Sequence, residues 1–161
     1  QESSNKVMQQ GEVVAFDTDM VGPYGYCADI SRAFVVGNKF NDEQKKLYSM
    51  AREQIEHNYR LIKDGVDFKE FTEKSWVLPD EYYPNRYSVM VHGIGLCDEW
   101  PAIRYPSDGG DRSGTFQKNM TITLESYIGK VGGKEGIKLE QQYLIGENGL
   151  ELMSHHPLED I

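Results

Sequence analysis

The chain has 161 residues, of which 39% are hydrophobic and 27% charged, a composition typical of one globular domain with a buried core. Its net charge of -9 argues against a nucleic-acid-binding protein, because 17 Lys and Arg are scattered among 26 Asp and Glu. No apolar run is long enough to span a bilayer, which argues against a membrane-spanning protein.

The two cysteines, Cys27 and Cys97, are too few for a disulfide framework and are not spaced as a zinc site. We therefore expect reduced thiols and a cytoplasmic location. The chain begins with Gln1 rather than Met, so we expect it to be the later part of a longer protein or a processed product.

The first predicted element is a β-hairpin. Residues 11–20 alternate with a period of two, which places Asp17 and Asp19 on one face of a strand. A turn rich in Gly and Pro follows, and a second strand is predicted over residues 26–36. This second strand carries Asp29, so the hairpin is expected to bring three carboxylates together.

A long helix is predicted to begin at Asn41, followed by acidic residues that suit the N-terminal end of a helix dipole. The residues at helical spacing that should face the core are Leu47, Met50, Ala51, Ile55, Tyr59 and Ile62. Gly65 is expected to stop this helix, and a short second helix is predicted over residues 68–74.

An irregular segment rich in Tyr and Pro is expected next. Three further strands are then predicted, over residues 119–127, 136–145 and 150–153. Neither an internal repeat nor a linker divides the chain. This order of elements indicates one α+β domain, with an antiparallel sheet and helices on one side of it.

The aspartates of the hairpin are the first candidates for chemistry. Placing Asp17 and Asp19 on one buried strand face is costly, because like charges repel and buried carboxylates lose their hydration. A bound cation removes this cost, and Asp29 would add a third oxygen donor. The alternative interpretation is an exposed acidic edge or turn, since Asp is common near turns.

Three residues in the later part of the chain are further candidates. His92 lies in an apolar segment that contains glycines, where an imidazole is more often a hydrogen-bonded core residue than a metal ligand. Glu125 and Glu140 each end an apolar alternation, and a Glu in a buried strand needs a partner. The alternative partners are Arg or Lys, and Lys138 shares the strand face of Glu140.

Together, the six side chains have the composition of a site for two metal ions. Carboxylates with one imidazole suit Fe, Mn, Co or Zn, whereas a thiolate centre would need more cysteines. The predicted metal ligands are Asp17, Asp19, Asp29, His92, Glu125 and Glu140.

The order of these residues resembles that of the pita-bread superfamily, which contains methionine aminopeptidase, aminopeptidase P, prolidase and creatinase. The segments that carry the resemblance are His-Gly-Ile-Gly-Leu, Thr-Leu-Glu-Ser-Tyr and Gly-Ile-Lys-Leu-Glu. The resemblance implies that residues 1–161 are the C-terminal portion of a pita-bread catalytic domain, with Asp29 and Glu140 bridging two metal ions. An N-terminal domain and the first half of the catalytic domain would precede them.

Two departures from the peptidases of this superfamily concern residues near the site. The peptidases place a second His seven residues after the ligand His, and this chain has Glu99 there. Their Glu-Pro-Gly segment is Glu125-Ser126-Tyr127 here. A further His that the peptidases place before the first ligand would fall among residues 1–3 and is absent. The two missing histidines argue against peptide hydrolysis.

A branch of the superfamily fits these departures better. The stretches Asp-Thr-Asp, Gly-Tyr-Cys-Ala-Asp-Ile-Ser-Arg and His-Gly-Ile-Gly-Leu-Cys-Asp-Glu-Trp-Pro resemble the DddP family of dimethylsulfoniopropionate (DMSP) lyases. In that family the doubled Asp-Thr-Asp contributes both carboxylates to the metal site, which would account for Asp17. The resemblance further implies Asp98 as general base and Tyr87 in the substrate pocket, and Trp100 is a candidate to face the sulfonium.

The implied reaction is a β-elimination that converts DMSP to acrylate and dimethyl sulfide. The same resemblance implies iron as the first choice of metal and a bacterial homodimer. Two alternative functions stay open. One is an Xaa-Pro aminopeptidase or dipeptidase with two metal ions, and the other is a non-catalytic pita-bread binding module. Such modules typically lose metal ligands, whereas the predicted set is complete here.

Overall fold

The computed structural model describes residues 5–37, 39–109, 113–159 and 161. This part of the chain forms two short antiparallel strand pairs, one five-stranded antiparallel sheet and two α-helices. The predicted α+β class is confirmed. Neither helix combines the length and the apolar character that a membrane crossing requires.

The N-terminal hairpin is interrupted where the sequence predicts continuous strands. Its strands are β1 (Val13–Asp17), β2 (Met20–Val21), β3 (Cys27–Ala28) and β4 (Ser31–Val35). β1 pairs with β4, and β2 pairs with β3. Asp19, at a φ of 33°, lies in the break before β2, and Asp29 lies in the break before β4. Because both aspartates lie at these breaks, the backbone amide of Asp19 approaches Asp29 Oδ1 to 3.4 Å.

Helix α1 (Asp42–Tyr59) begins where the sequence predicts it. Asn41 and Gln44 form a capping box, in which each side chain accepts a hydrogen bond of 2.9 Å from the backbone amide of the other. The predicted core residues that are buried are Leu47, Ala51, Ile55 and Ile62. Tyr59 is 39% exposed, so its predicted place in the core is wrong. The predicted second helix is confirmed as α2 (Phe68–Lys74).

The large sheet contains two strands that the sequence analysis missed. Its members are β5 (Val89–Gly93), β6 (Ala102–Arg104), β7 (Thr121–Gly129), β8 (Gly136–Gly146) and β9 (Gly149–Leu152), in the order β6-β5-β7-β8-β9. The last three confirm the predicted strands, with ends that shift by one or two residues. β5 and β6 replace part of the expected irregular segment. All five residues of β5 are buried, so this strand lacks the alternation by which a half-buried strand is recognised.

The core forms where α1 packs across β7 and β8. Leu124 and Leu139 face the helix, and Ser126 on the same face donates a hydrogen bond to Gln54 of α1. Side chains alternate between the two faces of a strand. The glutamates beside these leucines therefore project from the opposite face, towards the N-terminal hairpin.

Candidate metal centre

The five-stranded sheet and the hairpin bring four of the predicted ligands together. Glu125 of β7 and Glu140 of β8 lie directly opposite each other, and His92 of β5 pairs with the residue two positions before Glu125. Asp29 reaches the same group from the hairpin. Each of these four residues is at most 2% exposed. Two like charges opposite each other on antiparallel strands are destabilising unless a cation lies between them.

The imidazole of His92 is aimed at the three carboxylates. Its Nε2 lies 3.2 Å from Glu140 Oε1, 3.5 Å from Glu125 Oε1 and 3.7 Å from Asp29 Oδ2. Its Nδ1 lies 3.0 Å from the carbonyl oxygen of Gly93, which can only accept a hydrogen bond. The ring proton of neutral His92 therefore resides on Nδ1, and the lone pair of Nε2 faces carboxylate oxygens. Such an arrangement requires a proton or a metal ion at Nε2.

The protonation behaviour of the group shows the same excess of negative charge. Burial and the charge of Glu140 raise the pKa of Asp29 to about 7 and that of Glu125 to about 8. Burial lowers the pKa of His92, but the hydrogen bond to Glu140 and the charge of Glu125 outweigh it and raise the pKa to about 9. A divalent cation would relieve this repulsion directly.

One buried oxygen supports a metal ion rather than a proton network. Glu125 Oε1 has no hydrogen-bond partner in the described part of the chain, although it is buried. Ligand atoms of Asp29, His92 and Glu140 lie within 4.8 Å of one another beside it. Carboxylate oxygens with one imidazole nitrogen fit divalent Mn, Fe, Co or Zn. The residues present therefore fit a metal ion.

A second group of carboxylates adjoins the first. Ligand atoms of Asp19, Asp29 and Asp98 also lie within 4.8 Å of one another. Asp29 belongs to both groups, as expected of a residue that bridges two ions. Asp19 is exposed and Asp98 is partly buried, so hydration stabilises their charges more than it stabilises the carboxylates around His92.

Lys138 is a central residue whose importance the sequence analysis underrated. Its Nζ lies 2.5 Å from Asp17 Oδ2, 3.3 Å from Glu125 Oε2 and 3.4 Å from Glu140 Oε2. The alternative partner named for Glu140 is therefore present. One ammonium cannot neutralise all the carboxylates that surround it, so Lys138 and a metal ion are compatible.

Asp17 lies at the margin of this group. Besides its contact with Lys138, its Oδ1 lies 2.6 Å from Ser31 Oγ, which is also 2.9 Å from Glu140 Oε2. Both oxygens of Asp17 thus have partners within the protein, and its role as a metal ligand stays a prediction. Neither spacing nor residue type identifies Ser31 in the sequence, because its place depends on its pairing with Asp17 across the hairpin.

Two of the residues predicted to meet the substrate, Tyr87 and Asp98, lie near the predicted metal ligands. The ring of Tyr87 is 5.0 Å from Lys138 Nζ, and its hydroxyl donates a hydrogen bond of 3.3 Å to Glu99 Oε1. Burial and the charges of Glu125 and Glu99 raise the pKa of Tyr87 far above its usual range, which keeps its hydroxyl protonated. Trp100 follows Glu99 in the chain and is 66% exposed. Burial raises the pKa of Asp98, and the nearby His92 only partly opposes this effect.

Comparison with known proteins places this geometry in a family. The sequence model of metallopeptidase family M24 matches residues 1–147. The chain is 37% identical to the dimethylsulfoniopropionate lyases DddP of Roseovarius nubinhibens and Roseobacter denitrificans, over 99% of its own length. It spans 36% of the length of each of these relatives.

Solved structures agree on the fold. An X-Pro aminopeptidase from Thermotoga maritima is 29% identical and superposes with a TM-score of 0.79, over 98% of this chain and 44% of that chain. A prolidase from Pyrococcus horikoshii is 26% identical with a TM-score of 0.81, over 99% of this chain and 44% of that chain. The predicted pita-bread architecture is thereby confirmed.

Proposed function

Since this chain belongs to metallopeptidase family M24, we propose that it forms part of a metal-dependent lyase that cleaves DMSP into acrylate and dimethyl sulfide. The observation that carries the proposal is the 37% identity to two DMSP lyases over nearly the whole chain. The buried ligand group and the carboxylate of Asp98 beside it support the proposal. Because the chain spans 36% of the length of these relatives, we propose the activity for a full-length protein that includes this chain.

The metal ligands would be Asp29, His92, Glu125 and Glu140, joined by Asp19 at the second group of carboxylates. A divalent ion bound there supplies a Lewis acid that stabilises the negative charge developing at the carboxylate end of the substrate. By resemblance we propose iron as this metal and a homodimer in the cytoplasm as the assembly.

Asp98 is the proposed general base. It takes the proton from the carbon next to the substrate carboxylate, and the electron pair left behind forms the carbon–carbon double bond. The carbon–sulfur bond breaks at the other end of that double bond, and its electrons leave with neutral dimethyl sulfide. Partial burial of Asp98 raises its pKa, which makes the carboxylate a stronger base.

Tyr87 and Trp100 are proposed to line the pocket for the sulfonium. The face of an aromatic ring attracts a cation, and the attraction is stronger where water is excluded. Tyr87 is partly buried between Lys138 and Glu99, so it can form an inner wall. Trp100, at the exposed rim, can cover the methyl groups from outside.

A metallopeptidase acting on Xaa-Pro peptides is the second candidate, which the structural similarity to an X-Pro aminopeptidase and a prolidase favours. Glu99 occupies the position where the sequence analysis expects a peptidase to have His, and it therefore argues for the lyase. A binding module without catalysis is supported less, because the buried ligand group would serve no purpose there.

The test uses the full-length protein that contains this chain, loaded with Fe(II) or Mn(II) and incubated with DMSP. We expect dimethyl sulfide in the headspace from the wild type and at least ~100-fold less from Asp98→Asn, the usual effect of removing a general base. The exposed Asp80 provides a matched control, and Asp80→Asn should retain full activity. A folded, metal-loaded wild type that releases no gas would refute the lyase proposal, and Xaa-Pro peptides would be assayed next.

A further inference from the structure

We infer that Glu99 determines specificity, by selecting substrates whose end remote from the metal ligands carries a positive charge. The inference rests on the proposed function, because it takes the substrate carboxylate to bind at the group around His92. It assigns the cationic end of the substrate to a carboxylate that the proposed reaction does not otherwise use.

The backbone around Glu99 is held firmly against the strand that carries His92. The amide of Gly93 donates a hydrogen bond of 2.9 Å to the carbonyl oxygen of Pro101. Trp100 approaches so closely that a Cβ on Gly93 would lie 2.2 Å from its carbonyl oxygen. Glu99 itself has a φ of 56°, a left-handed conformation that residues other than glycine adopt at a cost. Strained residues of this kind persist where their surroundings determine them, and they cluster at functional sites.

The side chain of Glu99 is connected to the predicted metal ligands through two residues, Tyr87 and Lys138. Its Oε1 accepts the hydrogen bond from the hydroxyl of Tyr87, and the ring of Tyr87 lies against Lys138 Nζ. Lys138 in turn contacts Glu125 and Glu140. The ring of Tyr87 and the ammonium of Lys138 therefore lie between the carboxylate of Glu99 and the two glutamates. Glu99 also follows Asp98, whose carboxylate lies within 4.8 Å of ligand atoms of Asp19 and Asp29. Glu99 thus borders the ligand group without belonging to it, as expected of a residue that meets the other end of a substrate.

The charge of Glu99 is available to a ligand. Among the residues that the structure describes, no Lys, Arg or His forms an ion pair with it, and its hydrogen bond to Tyr87 comes from a neutral hydroxyl. Trp100 follows it in the chain and is exposed. A carboxylate next to an aromatic face attracts a sulfonium or a quaternary ammonium, whereas a neutral group of the same shape gains only packing.

The experiment compares two ligands of equal shape that differ in charge. These are 3-(trimethylammonio)propionate and 4,4-dimethylpentanoate, in which carbon replaces the charged nitrogen. Their dissociation constants are measured by calorimetry on the Mn(II)-loaded full-length protein. We expect the wild type to bind the cation about tenfold more tightly, as for two charges a few ångströms apart in a partly hydrated pocket. Glu99→Gln should reduce this ratio to about threefold or less, the part that the aromatic faces of Tyr87 and Trp100 contribute.

Tyr87→Phe separates the charge of Glu99 from its hydrogen bond. This variant keeps the carboxylate, so the preference for the cation should persist even if both ligands bind more weakly. The Mn(II) content and the circular dichroism spectrum of each variant are measured as controls. Both should match the wild type, which would show that the fold and the metal centre are intact.

The outcomes distinguish this inference from the proposed function. A wild type without preference for the cation, or a Glu99→Gln variant that keeps it, would overturn the role of Glu99 even if dimethyl sulfide is produced. A preference for the cation that is lost in Glu99→Gln would support the role of Glu99 even if DMSP is not cleaved. In that case only the proposed cleavage of DMSP would be wrong.

Discussion

Replacing Lys138 with Met tests how charge is balanced in the candidate metal centre. The substitution removes one ammonium and keeps most of the apolar stem. The side chain of Lys138 is 7% exposed, and its Nζ contacts Asp17, Glu125 and Glu140 within 3.4 Å. Lys138 is not itself a predicted ligand, so its replacement removes positive charge from three of the predicted ligands without removing a ligand.

The magnitude follows from the burial of the partners. Removing one member of a buried ion pair costs about 3–5 kcal/mol, because the other charge is left without compensation. The side chains of Glu125 and Glu140 are at most 1% exposed and cannot regain hydration, whereas that of Asp17 is 28% exposed and partly can. We therefore expect the free energy of unfolding of the metal-free protein to fall by about 3–5 kcal/mol in Lys138→Met.

The assay is urea unfolding of the full-length protein, first with a chelator and then with Mn(II). The gain in stability on adding Mn(II) should be larger in Lys138→Met than in the wild type, because the metal then supplies the missing positive charge. Lys138→Arg keeps the charge and serves as the control. An unchanged unfolding midpoint for metal-free Lys138→Met would refute the reasoning, as would equal gains from Mn(II) in both proteins.

Two further substitutions test the scaffold around the site. Arg32 is 2% exposed and donates hydrogen bonds to the carbonyl oxygens of Glu140 (2.6 Å) and Pro157 (3.1 Å). Arg32→Leu should therefore lower the free energy of unfolding by about 3 kcal/mol, and Arg32→Lys should lower it by less. A loss below ~1 kcal/mol in urea titrations would contradict this expectation. Gly93→Ala would push the backbone of Trp100 away, because the added Cβ would overlap it. The free energy of unfolding should fall by about 1–3 kcal/mol, and the rate of dimethyl sulfide release should fall about tenfold or more. Wild-type values in both measurements would show that the loop does not need its observed position.

The long helix illustrates what a hydrophobic pattern can and cannot predict. Its start at Asn41 follows from the local capping residues, and its apolar stripe identifies most of the buried positions. The pattern also places Tyr59 inside, but this residue lies at the edge, where its hydroxyl reaches the carbonyl oxygen of Leu150. Gln54 is buried instead, because Tyr105 and Ser126 supply partners for its amide. Partners from distant parts of the chain are invisible to a pattern of apolar residues.

The candidate site shows the same division between local and distant information. Residue type and strand position suffice to identify Glu125 and Glu140 as buried polar groups that need a partner. The burial of His92 and Asp29 is not predictable in this way, because β5 has no alternation and Asp29 lies in a break of the hairpin. The placement of Lys138 among three carboxylates depends on two strand registers, since β8 must pair with β7 while the hairpin closes over both. The turns around Asp19 and Glu99 depend on backbone angles that their residue types do not favour.

The distribution of the ligands along the chain has a consequence for how the protein folds. Asp29 belongs to the N-terminal hairpin, His92 to β5, and Glu125 and Glu140 to the paired strands β7 and β8. The pairing of β7 with β8 brings the two glutamates together locally, but Asp29 and His92 come from distant parts of the chain. The complete cation-binding group therefore arises only after these segments have assembled. Such non-local contacts form late, because each requires the closure of a long loop. A metal ion captures the assembled state and should slow unfolding while leaving the rate of folding nearly unchanged.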